Sequence, residues 1–406
     1  MQPDRHAASQ VELSTGGTIG GMSEGASPTS APRAERLAAG RRRQCLAAAM
    51  LATVALLVAG CTSSSPTPAP GPATGTPGGS AGPGGSATAT SGPASTSTPA
   101  PATTAPGAPA TTTMSTYDVP DGSHPHDVAP AADGGIWYTA QGSGELGWLD
   151  PDSGQVVEID LGSGSAPHGV IVGPDGAAWV TDSGLNAIVR VHGESHAVTD
   201  FPLQAPAANL NTATFDGDGV LWFTGQGGVY GRLDPSVGRV ETFPAPRGRG
   251  PYGIATTPAG DVYLASLAGS YLGAINRTTG ALTVLDTPTP GGGARRVWSD
   301  SGGRLWVTEW FAGRLARYDP GSGTWLEWDV PGDAQPYAVY VDEDDGVWIT
   351  DFGSNAIHRF DLATESFLTL THDRSPANVR QLLGRTGEVW GAESATDRLV
   401  VVRFGP

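Results

Sequence analysis

The stretch GRLWVTEWFAGRLARYD (303–319) has six counterparts along the chain. They are GGIWYTAQGSGELGWLD (134–150), GAAWVTDSGLNAIVRVH (176–192), GVLWFTGQGGVYGRLD (219–234), GDVYLASLAGSYLGAIN (260–276), DGVWITDFGSNAIHRFD (345–361) and GEVWGAESATDRLVVVR (387–403). The anchoring aromatics are Trp137, Trp179, Trp222, Tyr263, Trp306, Trp348 and Trp390, spaced 42, 43, 41, 43, 42 and 42 residues apart. Each repeat holds four short apolar runs. In the sixth they are YAVYV (337–341), GVWIT (346–350), AIHRF (356–360) and SFLTL (366–370). Alternation and β-branched or aromatic content read as strands, and the intervening turns are too short for helices. Four antiparallel strands in about 42 residues make one blade of a β-propeller. One blade cannot bury both its faces alone, whereas seven in a closed ring can.

The last repeat ends at Val402-Arg403-Phe404-Gly405-Pro406, without room for a fourth strand. Ahead of the first repeat lies Ser115-Thr116-Tyr117-Asp118-Val119-Pro120, which matches the outer strand Leu326-Glu327-Trp328-Asp329-Val330-Pro331 of repeat five. The N-terminal run is therefore expected to complete blade seven and remove an open edge. The fold class is all-β: a seven-bladed propeller over 114–406.

The remaining residues read as a leader and a tether. Residues 46–59 form an apolar run after Arg41, Arg42 and Arg43, too short for a spanning helix of about 20 residues. The run ends in Leu57-Val58-Ala59-Gly60-Cys61, which resembles the lipobox of bacterial lipoproteins, with Cys61 as the lipidated residue. Residues 1–60 are assigned to this signal segment. Residues 61–113, almost wholly Ser, Thr, Pro, Gly and Ala, form a linker that cannot bury enough apolar surface to order itself. The expected location is the outer face of the cell membrane, with membrane contact only through the lipid.

The 406 residues carry 23 Lys+Arg against 40 Asp+Glu, a net charge of −17, and all the cations are Arg. That sign excludes nucleic acid as a partner. Two Cys exclude a disulfide framework and a cysteine-ligated zinc site. The expected partner is a small molecule or a cell-envelope ligand, and a closed ring suits a monomer.

Strand direction fixes which side chains meet. The position 11 residues before each anchoring aromatic opens the first strand: His126, His168, Asn211, Tyr252, Arg295, Tyr337 and Val379. The position three residues after it closes the second strand: Ala140, Asp182, Gly225, Ser266, Glu309, Asp351 and Glu393. Both sets are expected at the same mouth of the central channel, with Arg296 and Arg380 one position further on. Candidate proton-transfer residues are His126 and His168. Candidate metal ligands are Asp182, Glu309, Asp351 and Glu393. Tyr252, Arg295, Trp310, Tyr337 and Arg380 are candidate ligand contacts. His192, His196, His358 and His372 read as solvated surface.

The pattern P-[HY]-x-I/V, then D-G-x-x-W-x-T-[DE], then I-x-R-[LFY]-D resembles the virginiamycin B lyase (streptogramin lyase) family. It is carried by Pro167-His168-Gly169-Val170, Pro251-Tyr252-Gly253-Ile254 and Leu305-Trp306-Val307-Thr308-Glu309-Trp310. The resemblance covers 114–406 and implies a seven-bladed propeller. It also implies a carbon–oxygen lyase that opens a lactone by elimination, with a His base and a divalent ion such as Mg2+ on carboxylates. In that family the working His residues stand at the Pro-His position of blades six and seven. A Glu lies two residues before the second of them, and another Glu ends the second strand of blade seven. Here blade six has Tyr337 at the His position, blade seven reads Ser375-Pro376-Ala377-Asn378-Val379-Arg380, and Glu393 alone is retained. The Pro-His pairs stand instead in blades one and two. Two functions follow: a metal-assisted lyase on a lactone or ester with its constellation rotated around the ring, or a non-catalytic propeller of the NHL or YWTD kind binding a carbohydrate, peptide or cell-wall ligand.

Overall fold

The computed structural model describes residues 111–405, and these form strands and turns without a helix. The leader, Cys61 and most of the linker lie outside the described residues. Seven four-stranded antiparallel sheets follow one another, six of them built from consecutive strands. Blade six runs Pro336–Val341, Val347–Asp351, Ala356–Asp361 and Ser366–Thr371, within a residue or two of the runs read from sequence. The innermost strands neighbour one another around the ring, and that of blade seven (Val379–Arg385) returns to that of blade one (Pro125–Pro130). Blade seven is closed by Thr111–Asp118, which pairs antiparallel with Arg398–Gly405. Tyr117 then stacks on Trp390 with ring centroids 5.4 Å apart.

The repeated motif has a mechanical explanation. Each anchoring aromatic is at most 9% exposed and packs between blades; Trp306 of blade five lies against Val339, Ile349 and Phe360 of blade six. Its indole N–H still requires an acceptor once buried. The turn Asp supplies one, from Trp222 to Asp216 at 2.8 Å and from Trp348 to Asp342 at 2.7 Å. The Arg of the third strand covers the indole of its own blade, with Arg232 5.5 Å above Trp222 and Arg359 5.7 Å above Trp348.

The Thr two residues after the aromatic joins blades. Thr308 Oγ1 accepts from Arg296 N–H (3.2 Å) in its own blade and donates to the Tyr337 carbonyl (2.9 Å) of the next. Thr139 does the same between Asp127 N–H and the His168 carbonyl, both at 2.9 Å. The turn between second and third strands needs a left-handed residue, so Asn186 (φ 54°), Gly228 (φ 105°) and Asn355 (φ 54°) occupy it.

Candidate functional site

In every blade the first residue of the innermost strand pairs with the last of the second strand, and the register then shifts. It does so between Pro125 and Val128 and between Ala294 and Val297. Such a bulge re-aims side chains, and here two consecutive residues reach the axis where regular alternation would send one. His126 arrives with Asp127, Asn211 with Thr212, and Arg295 with Arg296. The sequence reading named the first member of each pair and Arg296; it missed Asp127 and Thr212. Their signal was the position 10 residues before the aromatic.

These side chains meet across the ring. The imidazoles of His126 and His168 lie 3.7 Å apart, centroid to centroid. Asn211 fixes the His168 tautomer: its carbonyl accepts from Nδ1 at 3.1 Å, and its amide nitrogen donates to Nε2 at 3.1 Å. His126 Nδ1 donates to Asp127 Oδ1 at 2.8 Å, which leaves Nε2 facing the Tyr337 hydroxyl at 3.4 Å. That hydroxyl is also 2.5 Å from the hydroxyl of Tyr252. Arg295 Nη2 donates to Tyr252 at 2.9 Å, and Arg296 Nη2 donates to Asp127 Oδ1 at 3.2 Å. The Arg295 guanidinium carbon lies 3.7, 4.4 and 4.3 Å from the ring centroids of Tyr337, Tyr252 and Trp310. Arg380, half-buried, completes the cationic group 5.8 Å from both Tyr337 and Phe352.

Desolvation and charge set the protonation states. Burial, then Arg380, Arg296 and Arg295, hold His126 well below the usual imidazole range. Burial and the adjacent His126 do the same to His168. Both rings are neutral at pH 7. Burial raises Asp127 against the pull of Arg296. For Tyr337, burial works upward, but Arg295, Arg380, Arg296 and the Tyr252 hydrogen bond outweigh it and bring the phenol down to about 7. Tyr252 moves the other way, to about 12, through burial and the negative charge its partner acquires. The two phenols thus share one early proton loss.

The four carboxylates considered as metal ligands are not gathered. Asp182 accepts from the N–H groups of Ala166, Gly184 and Leu185 at 3.0, 2.9 and 2.9 Å. Asp351 accepts from Gln335, Gly353 and Ser354 at 2.6, 3.0 and 3.0 Å. Both clasp loops. Glu393 is paired with Arg398 at 2.7 Å, with His372 Nδ1 at 3.0 Å from its other oxygen. Glu309 has both oxygens buried without a partner, and burial followed by its neighbour Glu327 pushes it up to about 8. Among the described residues, one group of His, Cys, Asp or Glu brings three ligand atoms within 4.8 Å of one another: His126, Asp127 and His168. Arg296 already holds that Asp127, and a guanidinium there repels a cation. The donor set does not fit Mg2+.

Two further placements differ from the sequence reading. His358 is fully buried, with Nε2 3.6 Å from Asp351, and His372 is 7% exposed beside Glu393. His358 lies inside the third strand of blade six, between its second and fourth strands, with its ring nitrogens on the hydroxyls of Ser354 and Thr369 at 3.1 and 3.0 Å, and His372, just past the fourth strand, reaches Glu393 of blade seven at 3.0 Å. Trp310 is half-buried over Arg295, whereas Phe311 is 64% exposed. Both line a groove of about 500 Å³ with Asp329, Asp333 and Gln335.

Fold and site together define a seven-bladed propeller with a polar, cationic axial cluster. Residues 154–404 match the model of the virginiamycin B lyase family, and the chain belongs to that family. Among solved structures, virginiamycin B lyase from Staphylococcus aureus is 19% identical, with 72% of this chain and 100% of that one aligned at a TM-score of 0.67. A streptogramin B lyase is 22% identical over 72% and 98% of the two chains, also at 0.67. A catalytically inactive form of the Staphylococcus aureus enzyme, solved with quinupristin, is 20% identical over 72% and 100%, at 0.67. At these identities the likeness speaks for the fold. No curated protein matches the chain.

Proposed function

We propose that this chain is a carbon–oxygen lyase acting by elimination on an ester or lactone, exported and held at the outer membrane face by a lipid on Cys61. Tyr337 takes the proton from the carbon next to the substrate carbonyl. The C–H electron pair becomes the new C=C bond, the C–O bond to the neighbouring carbon breaks, and the ester oxygen leaves as a carboxylate. Negative charge that builds on the carbonyl oxygen is met by the Arg295, Arg296 and Arg380 guanidiniums, in the part that the resemblance would give to a cation. The neutral His126 ring, oriented by Asp127, accepts a hydrogen bond from the Tyr337 hydroxyl once that is protonated, and the phenol, favoured as phenolate by the arginines, gives its proton up to solvent when product leaves. The observation that carries this reading is the position of the Tyr337 hydroxyl, 2.5 Å from Tyr252 and 3.4 Å from His126, beneath the arginines. The groove beside Trp310 would hold the rest of the substrate.

The burial of Tyr337 (0%) and His126 (2%) favours a second reading, a ligand-binding propeller without turnover. The test is incubation of the full chain with a cyclic lactone antibiotic such as quinupristin, with and without chelator. Ring opening is followed by the appearance of vinylic protons in NMR spectra. Elimination insensitive to chelator, and reduced about 10²–10⁴-fold in Tyr337→Phe, supports the lyase. Unchanged substrate with a measurable binding constant would establish the binding module instead.

A further inference from the structure

We infer that the axial mouth is a receptor for a carboxylate carried by the substrate, clasped by Arg295 and Arg380. Of the three axial arginines, Arg296 alone has a carboxylate partner among the described residues, Asp127 at 3.2 Å. Arg295 is 9% exposed, donates to the neutral Tyr252 hydroxyl, and leaves its buried Nε without an acceptor. Arg380 donates from Nε to Ser394 Oγ at 2.9 Å, another neutral oxygen. Neither has a carboxylate partner among the described residues, in a chain whose net charge is −17; a single phenol, Tyr337, ionised in part near neutral pH, faces two full cations, of which Arg295 is buried and Arg380 half-buried. Such burial is costly unless an anion completes it.

The geometry narrows the anion to a planar one. The Arg295 guanidinium is packed among three aromatic rings, Tyr337 at 3.7 Å, Trp310 at 4.3 Å and Tyr252 at 4.4 Å. Nη2 already donates to Tyr252, so a ligand would meet the remaining in-plane N–H groups, and that planar edge suits the oxygens of a carboxylate. Trp310, Phe352 and Arg380 are all half-buried and adjoin one another beside Tyr337, so an anion there meets cation and aromatic together. As a statement about the reaction, the inference rests on the lyase reading. The substrate class is then a carboxylate-bearing molecule with an ester or ether oxygen on the carbon next to the one that loses its proton. As a statement about binding, it stands without turnover.

The experiment titrates the full chain with benzoate, its neutral isostere benzamide and inorganic phosphate. Readouts are calorimetry, thermal shift and the tyrosinate absorbance of Tyr337. Benzoate is expected to bind, to raise the unfolding temperature and to move the Tyr337 ionisation upward by offsetting the arginines; benzamide is expected to do none of these. Arg380→Met should weaken benzoate at least about tenfold, the loss of one charge-assisted pair. Should Arg380→Met fail to fold, the benzoate-dependent shift of tyrosinate absorbance in the unmodified chain decides the matter. Equal binding of benzoate and benzamide overturns the proposal, and so does phosphate binding where benzoate does not. Benzoate binding without lactone opening removes the lyase and leaves the receptor. Opening of a neutral lactone without benzoate binding does the reverse.

Discussion

The hydroxyls of Tyr252 and Tyr337 lie 2.5 Å apart, although the residues come from blades four and six and are separated by 85 positions. Only a closed ring brings them together, and the arginines decide which one ionises. Spectrophotometric titration is expected to show one tyrosine ionising near pH 7, absent in Tyr337→Phe. Arg295→Met should raise that transition by about a unit or more, since a neighbouring opposite charge contributes on that scale. The groups facing Tyr337 are Tyr252, His126 and the three arginines. Because folding lowers this phenol below its unfolded value, its contribution to stability grows from pH 7 towards 10 and is lost as the pH falls through 7. A titration in which every tyrosine ionises above pH 9 contradicts this assignment.

Much of this was readable from residue spacing, and the rest failed for physical reasons. The period of the anchoring aromatics fixed the blades, and the match of 115–120 to 326–331 fixed the closing strand, because both depend on strand alternation alone. Alternation also placed His126, His168, Tyr252, Arg295 and Tyr337 on one axis. What alternation could not reveal is the bulge, which adds Asp127 and Thr212 by breaking that alternation. The carboxylates show a second limit. Asp182 and Asp351 stand at the expected end of the second strand, but whether they face a ligand or a loop depends on where backbone N–H groups fall. His358 and His372 show a third, because strand spacing does not say which side chains meet a ring nitrogen inside a blade, as Ser354 and Thr369 meet His358, or across the blade boundary, as Glu393 meets His372.

Glu309 offers a separate test. Its oxygens are buried and unpartnered, and burial together with Glu327 raises it to about 8, with Thr287 and Arg314 opposing. The unfolded chain ionises this group near 4.5. Protonated Glu309 is tolerated in the fold, so stability should decline as the pH rises from 4.5 through 8. Glu309→Gln keeps the shape and removes the charge. Thermal unfolding followed from pH 5 to pH 8 should show a shallower decline in the variant than in the unmodified chain. Parallel profiles would mean that the carboxyl ionises without cost.

The closing strand is expected to hold the ring shut. Tyr117 stacks on Trp390 at 5.4 Å, and the Arg403 guanidinium reaches the Tyr117 hydroxyl at 3.1 Å. Tyr117→Ala should cost about 1–3 kcal/mol, less than a fully buried aromatic because Tyr117 is half-buried. Removing 111–118 leaves Arg398–Gly405 as an open edge, so self-association should rise. Denaturant unfolding measures the first effect and size-exclusion chromatography the second.

Thr308 links stability to the site. Its hydroxyl accepts from Arg296 N–H and donates to the Tyr337 carbonyl, so it fixes two axial residues from adjacent blades at once. Thr308→Val is close in shape but leaves a buried donor and a buried acceptor without partners. The expected cost is about 1–3 kcal/mol for each group left unsatisfied. Thr181→Val removes the corresponding link between Gly169 N–H and the Asn211 carbonyl, on the other side of the ring from Arg295. Both variants should lose stability in denaturant titrations, whereas only Thr308→Val should displace the near-neutral tyrosine ionisation. If the two variants move that ionisation equally, the site responds to loss of stability in general and not to the placement of Tyr337 by Thr308.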